Sequence, residues 1–122
     1  MRDLKNLNVW QKSHLFTLEI YKITSTFPRE EAYGLVSQIR RSAASIPTNI
    51  AEGCGRSSFA ELKQFLTIAS GSASELSYQL ILSKDLGYIS ESRFKELDTE
   101  LSLIRKMMHA FLTKLNNSNH LP

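Results

Sequence analysis

Apolar side chains recur at steps of three and four residues in four separate segments of the chain, a spacing typical of amphipathic helices with one buried face. The segments cover about residues 7–26, 33–52, 58–86 and 90–115. Their stripes are Val9, Ser13, Phe16, Ile20, Ile23 and Phe27; Leu35, Ile39, Ala43, Ile46 and Ile50; Leu62, Leu66, Ala69, Ala73, Leu76 and Leu80; and Phe94, Leu97, Leu101, Ile104, Met108, Phe111 and Leu115. The pattern predicts four helices.

Helix ends are marked by residues that start or stop the backbone hydrogen bonds. Pro28 follows Phe27 and lacks the N–H that would continue the first helix. Ser58 and Glu61 form a capping box for the third helix, in which each side chain satisfies a free N–H of the first turn. Pro47 lies inside the second segment, where a proline costs about 3 kcal/mol. We therefore expect a kink there, or a break with a restart at Pro47.

The four helices also predict how the chain is arranged. Long helices joined by short links place neighbours antiparallel, and mixed steps of three and four favour crossing angles of about 20°. The predicted fold class is all-α, an antiparallel up-down-up-down four-helix bundle, in a single domain over residues 1–122. Small residues at 69–74 and 43–45 would let the second and third helices approach closely. The tail, residues 116–122, has no apolar period and is expected to fray.

Composition limits the class of protein. A chain of 122 residues, 42% of them hydrophobic, can bury a core without metal or disulfide staples. The single cysteine, Cys54, has no partner for an intramolecular disulfide. The N-terminus lacks the apolar run of a signal peptide, and no stretch approaches the roughly 20 apolar residues of a membrane span. We therefore expect a cytoplasmic protein without a membrane partner.

The net charge of +3 is unevenly distributed along the chain. Residues 1–63 hold nine Lys or Arg against six Asp or Glu, whereas residues 64–122 hold six of each, so the whole excess lies in the first half. This predicts a basic face that could meet nucleic acid or an acidic protein. Ordinary solubilising charge would produce the same counts, and the sequence leaves both interpretations open.

Two helices carry more apolar surface than one stripe explains. At about 100° per residue, a second group of side chains lies away from the core stripe on the first and third helices. An apolar patch rimmed by polar residues normally binds a partner. We predict a homo-oligomer with an interface that contains Trp10, His14, Leu18, Tyr21, Ile68, Tyr78 and Leu82. Because two different helices are involved, a head-to-tail ring is as natural as a two-fold dimer; coverage by loops or the tail, or a different rotation of the helices, is the alternative.

A polar stripe on the second helix has two interpretations. It consists of Gln38, Arg41, Ser45, Asn49 and Glu52. In the structural interpretation, Arg41, Asn49 and Glu52 form a network that satisfies itself and the nearby backbone, because partly buried charge persists only when it is paired. In the functional interpretation, a surface that holds phosphates is formed by Arg40, Arg41, Arg56 and Lys63.

No catalytic or metal-binding constellation is predicted. His14 and His109 are on separate helices without a carboxylate at ligand spacing, and His120 is in the tail. Cys54 lies between two glycines at a helix end without a nearby base in the sequence. We therefore expect no enzyme activity, no metal and no cofactor.

Several short motifs, taken in order, are similar to those of one known family. They are Asn8-Val-Trp-Gln11, Phe27-Pro28, Tyr33-Gly-Leu35, Gln38-Ile-Arg-Arg41, Ser45-Ile-Pro47, Asn49-Ile-Ala-Glu-Gly53, Phe65-Leu66, Ala69-Ser-Gly-Ser72 and Glu75-Leu76. Together they resemble the four-helix-bundle family of 23S rRNA intervening-sequence proteins, from about Asn8 to Tyr88. The fourth helix matches only by pattern. The resemblance implies a small bacterial protein without enzymatic activity.

The resemblance also bears on assembly. Bundles related to this family include the accessory variability-determinant proteins of diversity-generating retroelements, which resemble pentameric barrels with basic surfaces that engage a reverse transcriptase and nucleic acid. The resemblance therefore favours a pentamer. The second apolar face, which is inferred from the residues alone, also favours a homo-oligomer.

These observations lead to one main functional hypothesis and two alternatives. The main hypothesis is a non-enzymatic, homo-oligomeric bundle that binds RNA or DNA, or a nucleic-acid-processing protein, through the four basic residues named above. The first alternative is a structural or protein-interaction module that holds its partner through the surface of Trp10 and Tyr21. The second is a hydrolase or nuclease that depends on His14 or His109.

Overall fold

Four α-helices make up most of the chain in a computed structural model that describes residues 3–117. They are α1 (Asn8–Thr24), α2 (Leu35–Cys54), α3 (Phe59–Asp85) and α4 (Glu91–Asn117), and short 3-10 helices at Leu4–Asn6 and Arg29–Glu31 precede α1 and α2. The described residues contain no strand, and the predicted all-α class is confirmed. Of the tail that was predicted to fray, residues 116 and 117 end α4, and the rest lies outside the described residues.

The helices form the predicted antiparallel up-down-up-down bundle. Helix α2 contacts α1 and α3, and α4 contacts α3 and α1, so α1 and α3 lie at opposite corners. The predicted stripes face the centre of this arrangement, and on α2 and α3 every member of the stripe is buried. On α1 and α4, Ile23, Phe94 and Phe111 are only partly buried against the core. The apolar spacing therefore accounts for the core.

The link between α1 and α2 is longer than the sequence predicts. Helix α1 ends at Thr24 and α2 begins at Leu35. The hydroxyls of Ser25 and Thr26 donate to backbone carbonyls three residues earlier, at 2.6 and 2.7 Å. Such local bonds satisfy the last carbonyls of a helix and compete with its continuation. The helix therefore stops before Pro28 is reached.

Pro47 does not break α2, and a side chain of α1 approaches the carbonyl that the proline leaves without a donor. The helix continues through Pro47, which is buried. A proline at this position removes the N–H that would bond the Ala43 carbonyl. The Thr17 hydroxyl lies 3.1 Å from that oxygen and 2.8 Å from the Ser13 carbonyl, and it can donate to either. The break with a restart that the sequence suggested is not observed.

Helices α2 and α3 share the most extensive contact of the bundle. Small side chains meet across it: Ser45 Oγ and Ser72 Oγ are 2.8 Å apart, and Ala69 and Ala73 of α3 are fully buried. The close approach predicted from the small residues is confirmed.

Tyr88 connects the α3–α4 turn to the α1–α2 link. Its hydroxyl donates to Glu31 Oε2 at 2.8 Å, and its ring centre lies 5.3 Å from that of Phe27. The hydrogen bond to Glu31 is the main cause that raises the pKa of Tyr88 above its ordinary value of 10.0, and burial and the charges of Glu31 and Glu30 raise it further. This contact joins the two links at one end of the bundle.

The α2–α3 contact predicts opposite effects for two glycine substitutions. Gly53→Ala should lower the free energy of unfolding by about 1 kcal/mol, although alanine is the better helix former. An added Cβ would lie 3.0 Å from Leu62 Cδ1, 3.1 Å from Phe65 Cβ and 3.3 Å from the Leu62 carbonyl oxygen, so the two helices would have to separate. Urea denaturation measures the change.

Gly71→Ala is the matched control within α3. No atom lies within 4 Å of the Cβ it would add, and we expect the free energy of unfolding to rise by about 0.5 to 1 kcal/mol. Stabilisation by both substitutions would contradict the tight packing at Gly53.

Candidate functional site

The four basic residues predicted to hold phosphate lie in three separate places. Arg40 is half-buried at the seam between α1 and α2, where Nε donates to Thr24 Oγ1 at 2.9 Å and Nη2 donates to the Tyr21 carbonyl at 3.1 Å. Its guanidinium also lies 4.7 Å from the centre of the Tyr21 ring. Arg40 therefore joins α2 to α1.

Arg56 and Lys63 lie near the turn between α2 and α3. Arg56 pairs with Glu52 at 2.9 Å, lies 3.8 Å from Glu61, and covers the Phe65 ring with its guanidinium 4.8 Å from the ring centre. Lys63 is half-buried and makes no ion pair with any residue in 3–117. Of these two cations, only Lys63 keeps its charge uncompensated by a carboxylate.

Arg41 lines a polar pocket between α2 and α3, about 20 Å along the axis of α2 from its C-terminal end, beside which Arg56 lies. The pocket has a volume of about 460 Å³ and is lined by Tyr33, Ser37, Gln38, Arg41, Ser42, Glu75 and Gln79. The Arg41 side chain is exposed, and it forms no hydrogen bond or ion pair with the part of the chain that the structure describes. It is therefore available to a ligand.

The other walls of this pocket offer hydrogen-bond acceptors and an aromatic ring. Ser42 Oγ donates to Glu75 Oε1 at 3.0 Å, which fixes the carboxylate. Gln79 Oε1 is buried and has no hydrogen-bond partner among the described residues. The Tyr33 side chain is fully exposed. The pocket can therefore bind a molecule that has both N–H donors and an anionic group.

The three residues of the predicted network do not come together. Asn49 Nδ2 donates to the carbonyl and the hydroxyl of Ser45 at 2.8 and 2.9 Å, and Glu52 pairs with Arg56. Each thus finds its partner four residues away, about one helical turn along the chain. Within residues 3–117, no hydrogen bond or ion pair links Arg41 to Asn49 or Glu52.

The predicted interface residues form two outward faces. On α1, Leu18 and Tyr21 are 54% and 44% exposed, and on α3, Ile68 and Tyr78 are 45% and 61% exposed. Because α1 and α3 occupy opposite corners, the two faces lie on different sides of the bundle and do not overlap. Neither face has a covering segment within the described part of the chain.

The remaining predicted interface residues are placed differently. Trp10 and Leu82 are partly buried and pack against the core. His14 is exposed, and its ring stacks on that of Trp10, with the ring centres 5.3 Å apart and the planes within 2° of parallel. Trp10 and Leu82 are therefore less accessible to a partner than the predicted interface residues on the two faces, whereas His14 is accessible.

Sequence reasoning missed several exposed hydrophobic residues. They are Leu15, Tyr33, Ile81, Leu86 and Leu103. Leu15 and Ile81 each lie three residues from a predicted interface residue, Leu18 and Tyr78, so helical spacing was a signal that could have found them. Tyr33 had no such signal, because it was predicted to lie inside α2 and instead precedes it.

The structure adds no cluster of metal ligands to the histidines and the cysteine. His14 and His109 are exposed on different helices, Cys54 is buried at the end of α2, and His120 lies outside the described residues. In the described ranges, no three His, Cys, Asp or Glu side chains are grouped so that they could hold a metal ion. None of the helices described is both long and apolar enough to cross a membrane.

Comparisons with known proteins agree on one family. A model of the family described as 23S rRNA-intervening sequence protein matches residues 5–110. This chain is similar to a solved structure with a TM-score of 0.77 and 28% sequence identity, and the match covers 85% of this chain and 97% of the chain in that structure. That structure is described as a protein with unknown function from the S23 ribosomal protein family of Bacteroides thetaiotaomicron VPI-5482. A search of curated proteins gave no match.

The placement of the two neighbouring arginines predicts different stability effects. Arg40→Gln should lower the free energy of unfolding by about 1 to 2 kcal/mol, since it removes the N–H groups that donate to the Tyr21 carbonyl and to the Thr24 hydroxyl. Arg41→Gln is the matched control one residue along α2, and it should stay within about 0.5 kcal/mol of the parent. Urea denaturation compares them, and a large loss for Arg41→Gln would instead indicate an internal network.

Proposed function

We propose that this chain, which belongs to the family of 23S rRNA-intervening sequence proteins, is a non-enzymatic helical bundle. In this proposal, it assembles with copies of itself and binds nucleic acid through basic side chains. The observation that carries the proposal is the pair of apolar faces at opposite corners of the bundle. An exposed group of large apolar side chains on one helix face is typical of a surface that binds a partner.

Head-to-tail contact is the assembly that these two faces favour. The α1 face consists of Leu15, Leu18 and Tyr21, and the α3 face consists of Ile68, Tyr78 and Ile81. A two-fold dimer pairs one face with itself and leaves the other in water. Pairing the α1 face of one copy with the α3 face of the next buries both, and a closed ring leaves neither exposed. A ring of five copies agrees with the family resemblance.

Assembly would also strengthen a weak positive charge. A single chain carries a net charge of only +3, but a ring repeats Arg41 and Lys63 once in every copy. Several weak phosphate contacts made at the same time give a much higher affinity than one. Nucleic acid, with a phosphate at every nucleotide, is the partner suited to such a repeated array.

A second candidate function is that of a protein-interaction module without nucleic-acid binding. The observation that favours it is the use of Arg40 and Arg56 within the chain itself, in contacts with Thr24, Tyr21, Glu52 and Phe65. In this case the outward faces alone would bind the partner. The two candidates differ in their response to RNA.

The assembly proposal predicts the mass of the protein in solution. Light scattering should give a multiple of the 13.9 kDa chain, about fivefold if the ring is a pentamer. Leu18→Glu and Tyr78→Glu should each abolish the ring, because assembly would bury the new carboxylate without an opposite charge to pair with it. Leu86→Glu is the matched control, with an exposed leucine at the end of α3 and outside both faces.

Mixing the two disrupted variants distinguishes a ring from a two-fold dimer. Leu18→Glu keeps an intact α3 face and Tyr78→Glu keeps an intact α1 face, so an equimolar mixture should form dimers, while each variant alone stays monomeric. A two-fold dimer would leave one of the variants dimeric by itself. A parent protein that is monomeric at all concentrations would contradict the proposal.

The nucleic-acid proposal predicts a steep dependence of binding on salt. The logarithm of the association constant for single-stranded RNA should fall linearly with the logarithm of the salt concentration. Replacing Arg41 and Lys63 by Gln should reduce the slope by about 0.7 for each phosphate that the variant no longer neutralises. Replacing Lys95 and Lys106, exposed cations of α4, is the control of equal charge. Absence of binding at low salt from a protein that still assembles would leave the protein-interaction module.

A further inference from the structure

The polar pocket between α2 and α3 contains a buried acceptor that the fold does not use. Gln79 is only 6% exposed, it lines the pocket, and its Oε1 has no hydrogen-bond partner among the described residues. A buried acceptor without a donor destabilises the folded protein. The last torsion of the Gln79 side chain has no strong rotamer preference, so the amide can turn to present this oxygen to an N–H donor in the pocket.

Glu75 provides a second acceptor beside the first. It lies four residues before Gln79 on α3 and therefore on the same side of the helix. Ser42 of α2 donates to Glu75 Oε1 at 3.0 Å and leaves the other carboxylate oxygen, Oε2, without a bond to the described residues. Two acceptors one helical turn apart in the same pocket suit a ligand that has two adjacent N–H groups.

Arg41 and Tyr33 supply the other two contacts that the pocket can make. Arg41 is exposed and lines the same pocket as Glu75, yet the two are not within ion-pair distance, so the guanidinium remains available to an anion. The Tyr33 side chain is 100% exposed, so its ring faces are open to a flat ligand. A tyrosine ring with open faces is the usual platform for an unpaired base.

We propose that this pocket binds an unpaired guanine nucleotide. Guanine presents N1–H and the N2 amino group side by side on its Watson–Crick edge, which matches the acceptors of Glu75 and Gln79. Adenine and cytosine place an acceptor beside their one amino group, and would bring that acceptor against an oxygen. The phosphate of the nucleotide pairs with Arg41, and the base stacks on Tyr33.

The size of the pocket agrees with such a ligand. Its volume of about 460 Å³ is in the range of sites for small organic molecules. The chemistry is that of a guanine nucleotide, whether free or within a chain. The inference rests on the proposed function in taking that nucleotide from a single-stranded RNA.

The test compares nucleotides on the full-length protein. The protein is titrated with GMP, AMP and guanosine, and binding is followed by calorimetry and by the side-chain amide signal of Gln79 in NMR spectra. The affinity should be highest for GMP, lower for guanosine and lowest for AMP. Gln79→Met keeps the size of the side chain and removes the acceptor. It should reduce the preference for GMP over AMP by about tenfold and, because the unpartnered oxygen is gone, raise the melting temperature.

Two further variants control this result. Gln64→Met, at an exposed position of the same helix, should change neither the preference nor the melting temperature. Arg41→Gln should remove the difference between GMP and guanosine while leaving guanosine binding unchanged. Equal binding of GMP and AMP by the parent, or no binding of either at millimolar concentration, would overturn the proposal.

The source of the nucleotide is resolved with short single-stranded RNAs. An RNA with one guanine among adenines should bind more tightly than the same RNA without guanine, and Gln79→Met should remove the difference. RNA binding without guanine preference overturns the pocket and leaves the proposed function intact, whereas guanine-selective GMP binding without RNA binding supports the pocket and contradicts the proposed function. If Arg41→Gln dissolves the oligomer and the parent does not bind GMP, the pocket is a contact between copies and the proposal is overturned.

Discussion

The contact between α2 and α3 determines the geometry of the rest of the molecule. Serine and alanine side chains occupy the seam, so the hydroxyls of Ser45 and Ser72 meet at 2.8 Å where larger residues would hold the helices apart. Helices packed this closely cannot shift along each other without steric overlap. Helices α1 and α4 complete the bundle around this pair, and the outer edge of the same seam becomes the polar pocket.

The core could be predicted from the sequence because burial in a bundle follows helical periodicity. Every stripe residue of α2 and α3 is buried as its spacing indicates. Where the predicted fold was wrong, the reason lies in contacts that the spacing of apolar residues does not report. At the end of α1, hydroxyls bond their own backbone. The Ala43 carbonyl, which Pro47 leaves without a backbone donor, lies 3.1 Å from the hydroxyl of Thr17, a residue from another helix.

The candidate site could be predicted only in part, and for the same reason. Helical spacing identified the outward positions of Leu18 and Tyr78, since a helix carries its faces wherever it packs. Helical spacing could not predict that Arg40 bonds to α1 whereas Arg41 is exposed at the polar pocket. The two arginines are adjacent in sequence, and only the neighbouring helices make their surroundings different. The buried acceptor of Gln79 was missed entirely, because its environment is created by the distance between α2 and α3.

The hydroxyl of Thr17 near the Ala43 carbonyl links two positions that are far apart in the sequence. The acceptor lacks a backbone donor only while proline occupies position 47. Any other residue there would restore the amide and make the hydroxyl dispensable, whereas loss of the hydroxyl alone would leave the oxygen unsatisfied. Substitutions at 17 and 47 are therefore energetically coupled, and the order in which they occur during divergence decides whether the intermediate sequence is stable.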